Sequence, residues 1–269
     1  MLGVPSVLLT FDPHPSEVVR PGSHPAMLTS TRDKAALVEA LGIDVFLVLP
    51  FTPELMRLTA EEFVHNVLVE ALHAREVVVG GNFRYGNRGA GDVSSLTESG
   101  RRFGFAVDGV PLQGEQDLTW SSTYVRSCVI AGDVTAAAAA LGRDHRVEGV
   151  VVRGDQRGRE LGYPTANLEP VVFSAIPADG VYAGHLHRQG QALPAAISIG
   201  TNPTFAGRER RVEAFVLDFE GDLYGEHVGL SFAHRLRETL TFDGMEPLMA
   251  QMALDVQQTR EVLVVHPNG

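Results

Sequence analysis

The sequence predicts two modules in series: a parallel α/β sheet, then a small antiparallel β-barrel followed by a C-terminal helix. Three observations predict this. Before about residue 145, near-continuous apolar runs alternate with helical stretches, the pattern of a parallel sheet covered on both faces. Beyond it, short strand-like runs follow one another with Gly and Pro between them, as in a barrel. A helix-forming run from about Glu246 to Val262 then closes the chain. The change of period falls near Gly142–His145, which divides the chain into residues 1–145 and 146–269.

In order, PSVLLTF (5–11) is a strand ending at the turn Asp12-Pro13-His14-Pro15, and Thr31–Leu41 is a helix with Ala35, Leu37, Val38 and Leu41 as its apolar stripe. Asp44–Leu49 is the next strand. Thr59 starts a helix reaching Leu72, and Glu62 three residues on completes a capping box. REVVVGG (75–81) and RFGFAVDGV (102–110) are further strands, and AGDVTAAAAALG (131–142) is a packed helix. In the second module the strands are Val147–Arg153, Gly180–His187, Ala195–Ile199, Arg211–Phe219 and Glu226–Phe232. Asp243 and Glu246 form a capping box for the last helix, with Pro247 in its first turn, where a missing N–H costs nothing.

The 269 residues hold 22 Lys and Arg against 33 Asp and Glu, a formal charge of -11, which argues against an extended nucleic-acid footprint. Cys128 is the single cysteine, so an internal disulfide and a thiolate metal cluster are both excluded. No apolar run approaches the roughly 20 residues that span a bilayer, and no leader pattern opens the sequence. A cytoplasmic protein with small-molecule partners, and neither nucleic acid nor membrane, is the expectation.

The chemistry concentrates in GRELGYPTAN (158–167). Gly154, Gly158 and Gly162 permit close backbone approach to phosphate oxygens, although the spacing is not that of a P-loop and also suits a plain turn. Pro164 restrains Tyr163 and so fixes how Thr165 and Asn167 are presented. Those two neutral oxygens can share Mg2+ with nucleotide phosphates without adding negative charge; the alternative is an Asx or Ser/Thr turn capping a strand end. Glu213 interrupts an apolar run. Facing inward it needs a partner or a task, such as taking the proton of a hydroxyl substrate; alternation instead turns it outward, opposite Val212.

Taken together, GRELGYPTANLEP, GVYAG (180–184), SIGTNPTF (198–205) and RRVEAFVLDFEGDLYG (210–225) resemble the bacterial bifunctional riboflavin kinase/FMN adenylyltransferase (FAD synthetase) family, over essentially the whole chain. The resemblance implies a nucleotidylyltransferase-like parallel sheet followed by a riboflavin kinase barrel. It implies Thr165 and Asn167 as nucleotide and Mg2+ positions, Glu213 as catalytic base, and transfer of the γ-phosphate of ATP to riboflavin to form FMN. Asn202, Thr204 and Phe205 would border the cleft, with Arg235 and Phe242 on the flavin side. In the first module TFDPHP (10–15), LTSTRDK (28–34), VVVGGNFRYG (77–86) and WSSTYVR (120–126) resemble the family's adenylyltransferase, which makes FAD from FMN and ATP. Asn82, Arg84 and Gly86 then belong to a substrate loop, and Ser121, Ser122, Thr123 and Arg126 to a nucleotide-binding helix start. Taken alone, that segment reads as an N-cap with an arginine on a solvated face.

The family's paired-histidine segment, approximately GxFDGxHxGH, has no counterpart here, and His14 does not replace it. A downstream-assigned start and a shortened protein both account for this, and the expectation is riboflavin kinase activity with little or no FMN adenylylation. Two other functions remain: a non-catalytic flavin- or nucleotide-binding regulator derived from such an enzyme, and a kinase for another small alcohol.

Overall fold

The computed structural model describes residues 3–115, 118–154, 158, 162–204 and 207–265. Contacts group the chain into two units, one of residues up to Pro25 with Ala35–Trp120, the other of Ala26–Lys34 with residues from Ser121 onward.

The first unit pairs β1 (Val7–Asp12) with β2 (Val45–Pro50) and β3 (Glu76–Gly80) with β4 (Ala106–Val110), each pair parallel and in continuous register. Parallel pairing follows from the helices threaded between the strands along the chain: α1 (Pro15–Val19), α2 (Thr31–Ala40, its residues through Lys34 grouped with the second unit), α3 (Pro53–Arg57), α4 (Ala60–Phe63) and α5 (Val93–Phe103). The four strands make two separate two-stranded sheets rather than one, and none of their residues is fully buried. Coverage of both faces, expected from the apolar runs, is therefore incomplete. The core of this unit lies instead around the helices, where Val64, Leu96, Phe63 and Phe105 are buried and Leu9, Phe11, Val77 and Val79 pack against them.

Thr59 caps α4 as expected: its side chain accepts from Glu62 N, and the Glu62 carboxylate reaches back to Thr59 N. That bond holds the Glu62 carboxyl below its ordinary range. The helix runs on as a π-helical stretch, Val64–Ala71. Arg102 and Phe103 were expected in a strand but form the last turn of α5, because Gly104 takes the left-handed conformation (φ 83°) that ends the helix and lets β4 begin at Ala106. A short hairpin, β5 (Gly114–Glu115) with β6 (Leu118–Thr119), was not foreseen.

In the second unit α6 (Ser122–Ala131) and α7 (Val134–Leu141) are capped by Ser121 and Asp133. A closed barrel follows in the order β10-β11-β8-β7-β12-β9, formed by β7 (His145–Val152), β8 (Thr165–Pro170), β9 (Gly180–Arg188), β10 (Gln191–Thr204), β11 (Gly207–Val216) and β12 (His227–Arg237). Closure leaves no edge. Alternation fills the interior with Val147, Val151, Leu186, Ile197, Ile199, Val212, Ala214 and Leu230. The strand expected over 211–219 ends at Val216, since Leu217 turns away to bond Pro194 O and Asp218 adopts φ 54°.

The last helix, α8 (Met245–Val265), begins two residues after Asp243, so Asp243 and Glu246 do not hold the cap positions expected of them. It is tied to the barrel by Arg237, whose guanidinium donates twice to the buried Asp255 carboxylate at 2.8 and 2.6 Å. The segment 26–34 belongs to this unit through several bonds: Arg126 Nε to Ala26 O (2.6 Å), a β-bridge from Met27 to Ser174, Arg143 Nη2 to Thr29 Oγ1 (3.1 Å), and Ser30 Oγ to the Glu148 carboxylate.

Candidate active site

The sequence places Thr165 and Asn167 after a glycine-rich bend, with a turn capping a strand end as one of the two readings open there. They instead open strand β8, which pairs with β7 on one side and β11 on the other. Thr-Ala-Asn-Leu-Glu-Pro has weak strand propensity, and it is a strand because two neighbours supply its ladder. The register sets Glu213 opposite Asn167 and Phe215 opposite Thr165. Val212, Ala214 and Val216 of β11 are buried in the barrel, so alternation leaves Glu213 and Phe215 on the other face, half-buried. Of the two orientations open to Glu213, the outward one is realised. It is nonetheless partnered, for Thr165 Oγ1 donates to its carboxylate at 3.3 Å.

Asn167 is held from behind. A Cβ built on Gly154 would fall 2.5 Å from both Cγ and Oδ1 of Asn167, so the carboxamide lies against a backbone only glycine can supply. Gly158 O accepts from Tyr163 N at 2.8 Å, and Gly162 takes φ 82°, closing the bend before Pro164. Tyr163 meets Phe215, the residue opposite Thr165, edge-on at 5.2 Å.

Thr165 and Asn167 open onto a cavity of about 450 Å³ at one end of the barrel, with Val151, Gly154, Ala166, Ala214 and Val216 among its walls. Its far wall is the loop Phe219–Tyr224, to which the sequence reading assigned no role. Its signal was the turn composition Glu-Gly-Asp: Asp222 Oδ1 accepts from Tyr224 N at 2.9 Å, and Phe219 lies over Gly221. Arg188 braces the loop, stacking 5.4 Å from the Phe219 ring while forking onto Glu226. The oxygens gathered here, the Thr165 hydroxyl and Asn167 carboxamide on the cavity wall with the Glu213 carboxylate bonded to Thr165, suit a hard divalent cation such as Mg2+.

None of the other expected positions whose side chains are described is among the residues lining this cavity. Asn202 and Thr204 pair through their backbones with Glu209 and Gly207, and their side chains, like Phe205, lie outside the described residues. Arg235 Nη2 donates to Asp179 O at 2.8 Å, and its Nε is buried. Asn82 is exposed after β3 in the first unit, with Arg84 paired to Asp92 at 3.7 Å. Ser122 and Thr123 begin α6 in the second unit, exposed, while Arg126 is half-buried and donates to Ala26 O, burial lowering its pKa. His14 caps α1, accepting from Ser16 N.

Comparisons agree with this architecture. A riboflavin kinase family model matches residues 141–263, and an FAD synthetase model residues 1–124. The bifunctional riboflavin kinase/FMN adenylyltransferase of Listeria monocytogenes is 37% identical over 262 residues, covering 96% of this chain and 82% of the relative. The enzymes of the same description from Pseudomonas fluorescens (36%, covering 96% and 83%) and Escherichia coli K12 (34%, covering 96% and 82%) are similarly related. Among solved structures, a Streptococcus pneumoniae protein described as a macrolide-efflux protein superposes with a TM-score of 0.86 at 32% identity, over 96% of this chain and 84% of that one. No helix among the described residues here is long and apolar enough to cross a membrane.

Proposed function

We infer what this chain does from the family it belongs to, the bacterial bifunctional riboflavin kinase/FMN adenylyltransferases. The barrel module, residues 146–269, is a riboflavin kinase: it transfers the γ-phosphate of ATP to the ribityl 5′-hydroxyl of riboflavin, giving FMN and ADP. The observation that carries this reading is the Thr165–Glu213 contact of 3.3 Å across β8 and β11, with Asn167 directly opposite Glu213 at the mouth of the cavity. A carboxylate able to take a proton and two neutral oxygens able to face a nucleotide thus share one face of the barrel.

In this mechanism Glu213 accepts the hydroxyl proton as the new O–P bond forms and the bond to the β-phosphate breaks, releasing ADP. Thr165 steers Glu213 through its hydrogen bond, and the Gly154 backbone keeps the Asn167 carboxamide in place. Thr165 and Asn167 would hold Mg2+, which when bound offsets charge on the phosphate oxygens. Tyr163, Phe215 and the 219–224 loop limit water at the reacting atoms.

The first module, residues 1–145, carries the FMN-adenylylating relationship, the FAD synthetase match covering residues 1–124. With a single cysteine and no disulfide to form, a cytoplasmic setting suits the whole chain.

Incubating the protein with riboflavin and Mg-ATP, and separately with FMN and Mg-ATP, then resolving the flavins, tests both activities. Glu213→Gln should lower kcat for FMN formation by roughly 10²–10⁴, the range of general-base loss, while the KM for ATP moves little. Full turnover by that variant at saturating substrates removes Glu213 from the mechanism; flavin binding without conversion by the wild type favours the regulatory alternative.

A further inference from the structure

The proposed kinase must admit a polyphosphate into a cavity whose described walls carry Glu220 and Asp222 and include neither Lys nor Arg. Two carboxylates repel such a ligand, and one divalent cation does not neutralise a triphosphate and both of them. A counter-charge has to come from the rim.

The structure offers one there. Val151 lines the cavity and is buried, and residue 153 falls two positions on, the spacing that keeps a side chain on the same side of an extended chain. Arg153 follows the end of β7 and directly precedes Gly154, the residue that backs Asn167. Its guanidinium carbon lies 5.6 Å from the ring centroid of Tyr224, a cavity-lining side chain that is itself 39% exposed. The stacking platform is fixed to the same strand, since Gly225 N donates to Val151 O at 2.8 Å and Val151 N to Glu226 O at 2.9 Å.

We propose that Arg153 is a nucleotide-binding residue of the kinase site, held ready on the Tyr224 ring to take the phosphate chain of the incoming nucleotide. This rests on the kinase reading above and extends it to a residue that no part of the glycine-rich motif singles out. Stacking leaves the planar N–H groups of the guanidinium edge directed away from the ring and available for a bidentate phosphate contact. It also removes much of the rotamer freedom that a long exposed side chain would otherwise lose on binding. The contact is made to the bound nucleotide before and during transfer alike, so it acts on affinity and not on the chemical step.

The test uses the full chain, with Arg153→Gln, Arg153→Lys, Tyr224→Leu and Tyr224→Phe. Binding of Mg-ATP and of Mg-tripolyphosphate is measured by titration calorimetry, and FMN formation by initial rates with ATP and GTP. Arg153→Gln should weaken both probes by about tenfold, the loss of one charge-assisted contact, and raise the KM for ATP in proportion, with kcat within about twofold and an unchanged ATP:GTP preference. Arg153→Lys should lose less, and Tyr224→Phe should bind more like wild type than Tyr224→Leu. Unchanged affinity in Arg153→Gln overturns the proposal. So does a loss confined to Mg-ATP, which would mark a contact to the base, or a wild type that takes up neither probe. Calorimetry requires no turnover, so a wild type that makes no FMN yet binds both probes through Arg153 refutes the kinase reading while leaving this residue's role intact.

Discussion

Gly154→Ala is the most informative single change. The added Cβ would sit 2.5 Å from Asn167 Cγ and Oδ1, where ordinary contact begins at 3.4 Å. Backbone constrains both partners: Gly154 follows β7, and Asn167 is paired with Val152 of β7 and Glu213 of β11. With Asn167 Nδ2 nearest at 2.4 Å, the carboxamide therefore has to give way by about 1.0 Å. A displacement near 1 Å at a positioning group costs on the order of 10²-fold in rate, about 2.7 kcal/mol of transition-state stabilisation. The expected result is a fall of that size in kcat/KM for ATP, measured by FMN formation, with the melting temperature changed by only a few degrees. Asn167→Ala should be nearly as impaired, and the double variant no worse than Asn167→Ala alone, because the clash has no target once the carboxamide is gone. Gly190→Ala supplies a contrast: it imposes left-handed strain (φ 79°), which Gly154 does not carry, at a hairpin with nothing within 4 Å, so it should cost about 1 kcal/mol of stability and leave kcat/KM alone. Wild-type kcat/KM in Gly154→Ala, or losses that multiply in the double variant, would refute the close-approach argument.

Other outcomes follow from the polar groups buried in the second unit. Arg146 bridges the buried Asp33 and Glu148 carboxylates at 3.6 and 3.5 Å, so Arg146→Met should destabilise the protein by about 3–5 kcal/mol, the cost of stranding buried charge. Chemical denaturation reads this, and a loss below about 1 kcal/mol would show that the carboxylates find water or other donors instead. His145 is fully buried, its Nε2–H donating to Ala175 O at 2.7 Å, and burial holds its pKa down to about 4. A depressed histidine pKa means that the unfolded chain binds the proton first. Its contribution of roughly 3 kcal/mol is therefore present above pH 6.5 and is lost as pH falls toward 4. His187, likewise lowered to about 4 by burial, has the same sign. Denaturation midpoints between pH 7.5 and 4.5 should fall in wild type and fall less in His145→Gln; equal slopes would remove His145 as the cause.

Much of the architecture was legible because local chemistry and tertiary packing agree there. The Thr59–Glu62 box, the apolar runs that became β1 to β4 and the alternation of β11 each depend on residues close in sequence. Misreadings fell where distant partners decide. Strand β8 exists because β7 and β11 flank it, and the Arg102–Phe103 turn belongs to α5 because Gly104 ends the helix beyond them. Nothing local in segment 26–34 signals its partners, for its hydrogen bonds run to Arg126, Arg143 and Glu148, a hundred residues or more along the chain.

Glu148 and Glu213 mark the limit most plainly. Each is a carboxylate set within an apolar barrel strand, and sequence says of both only that such a charge requires company. Composition, periodicity and the order of motifs determined that there would be a parallel α/β module, a barrel, and a Thr-Ala-Asn motif with an acidic residue downstream. Tertiary structure decided that Glu148 is buried against Arg146 and Ser30, while Glu213 sits half-buried beside Thr165 near the mouth of a cavity. The physical reason is that a carboxylate's task depends on which cations, hydroxyls and solvent the fold brings to it, and the hydroxyls of Ser30 and Thr165 come from segments tens of residues away.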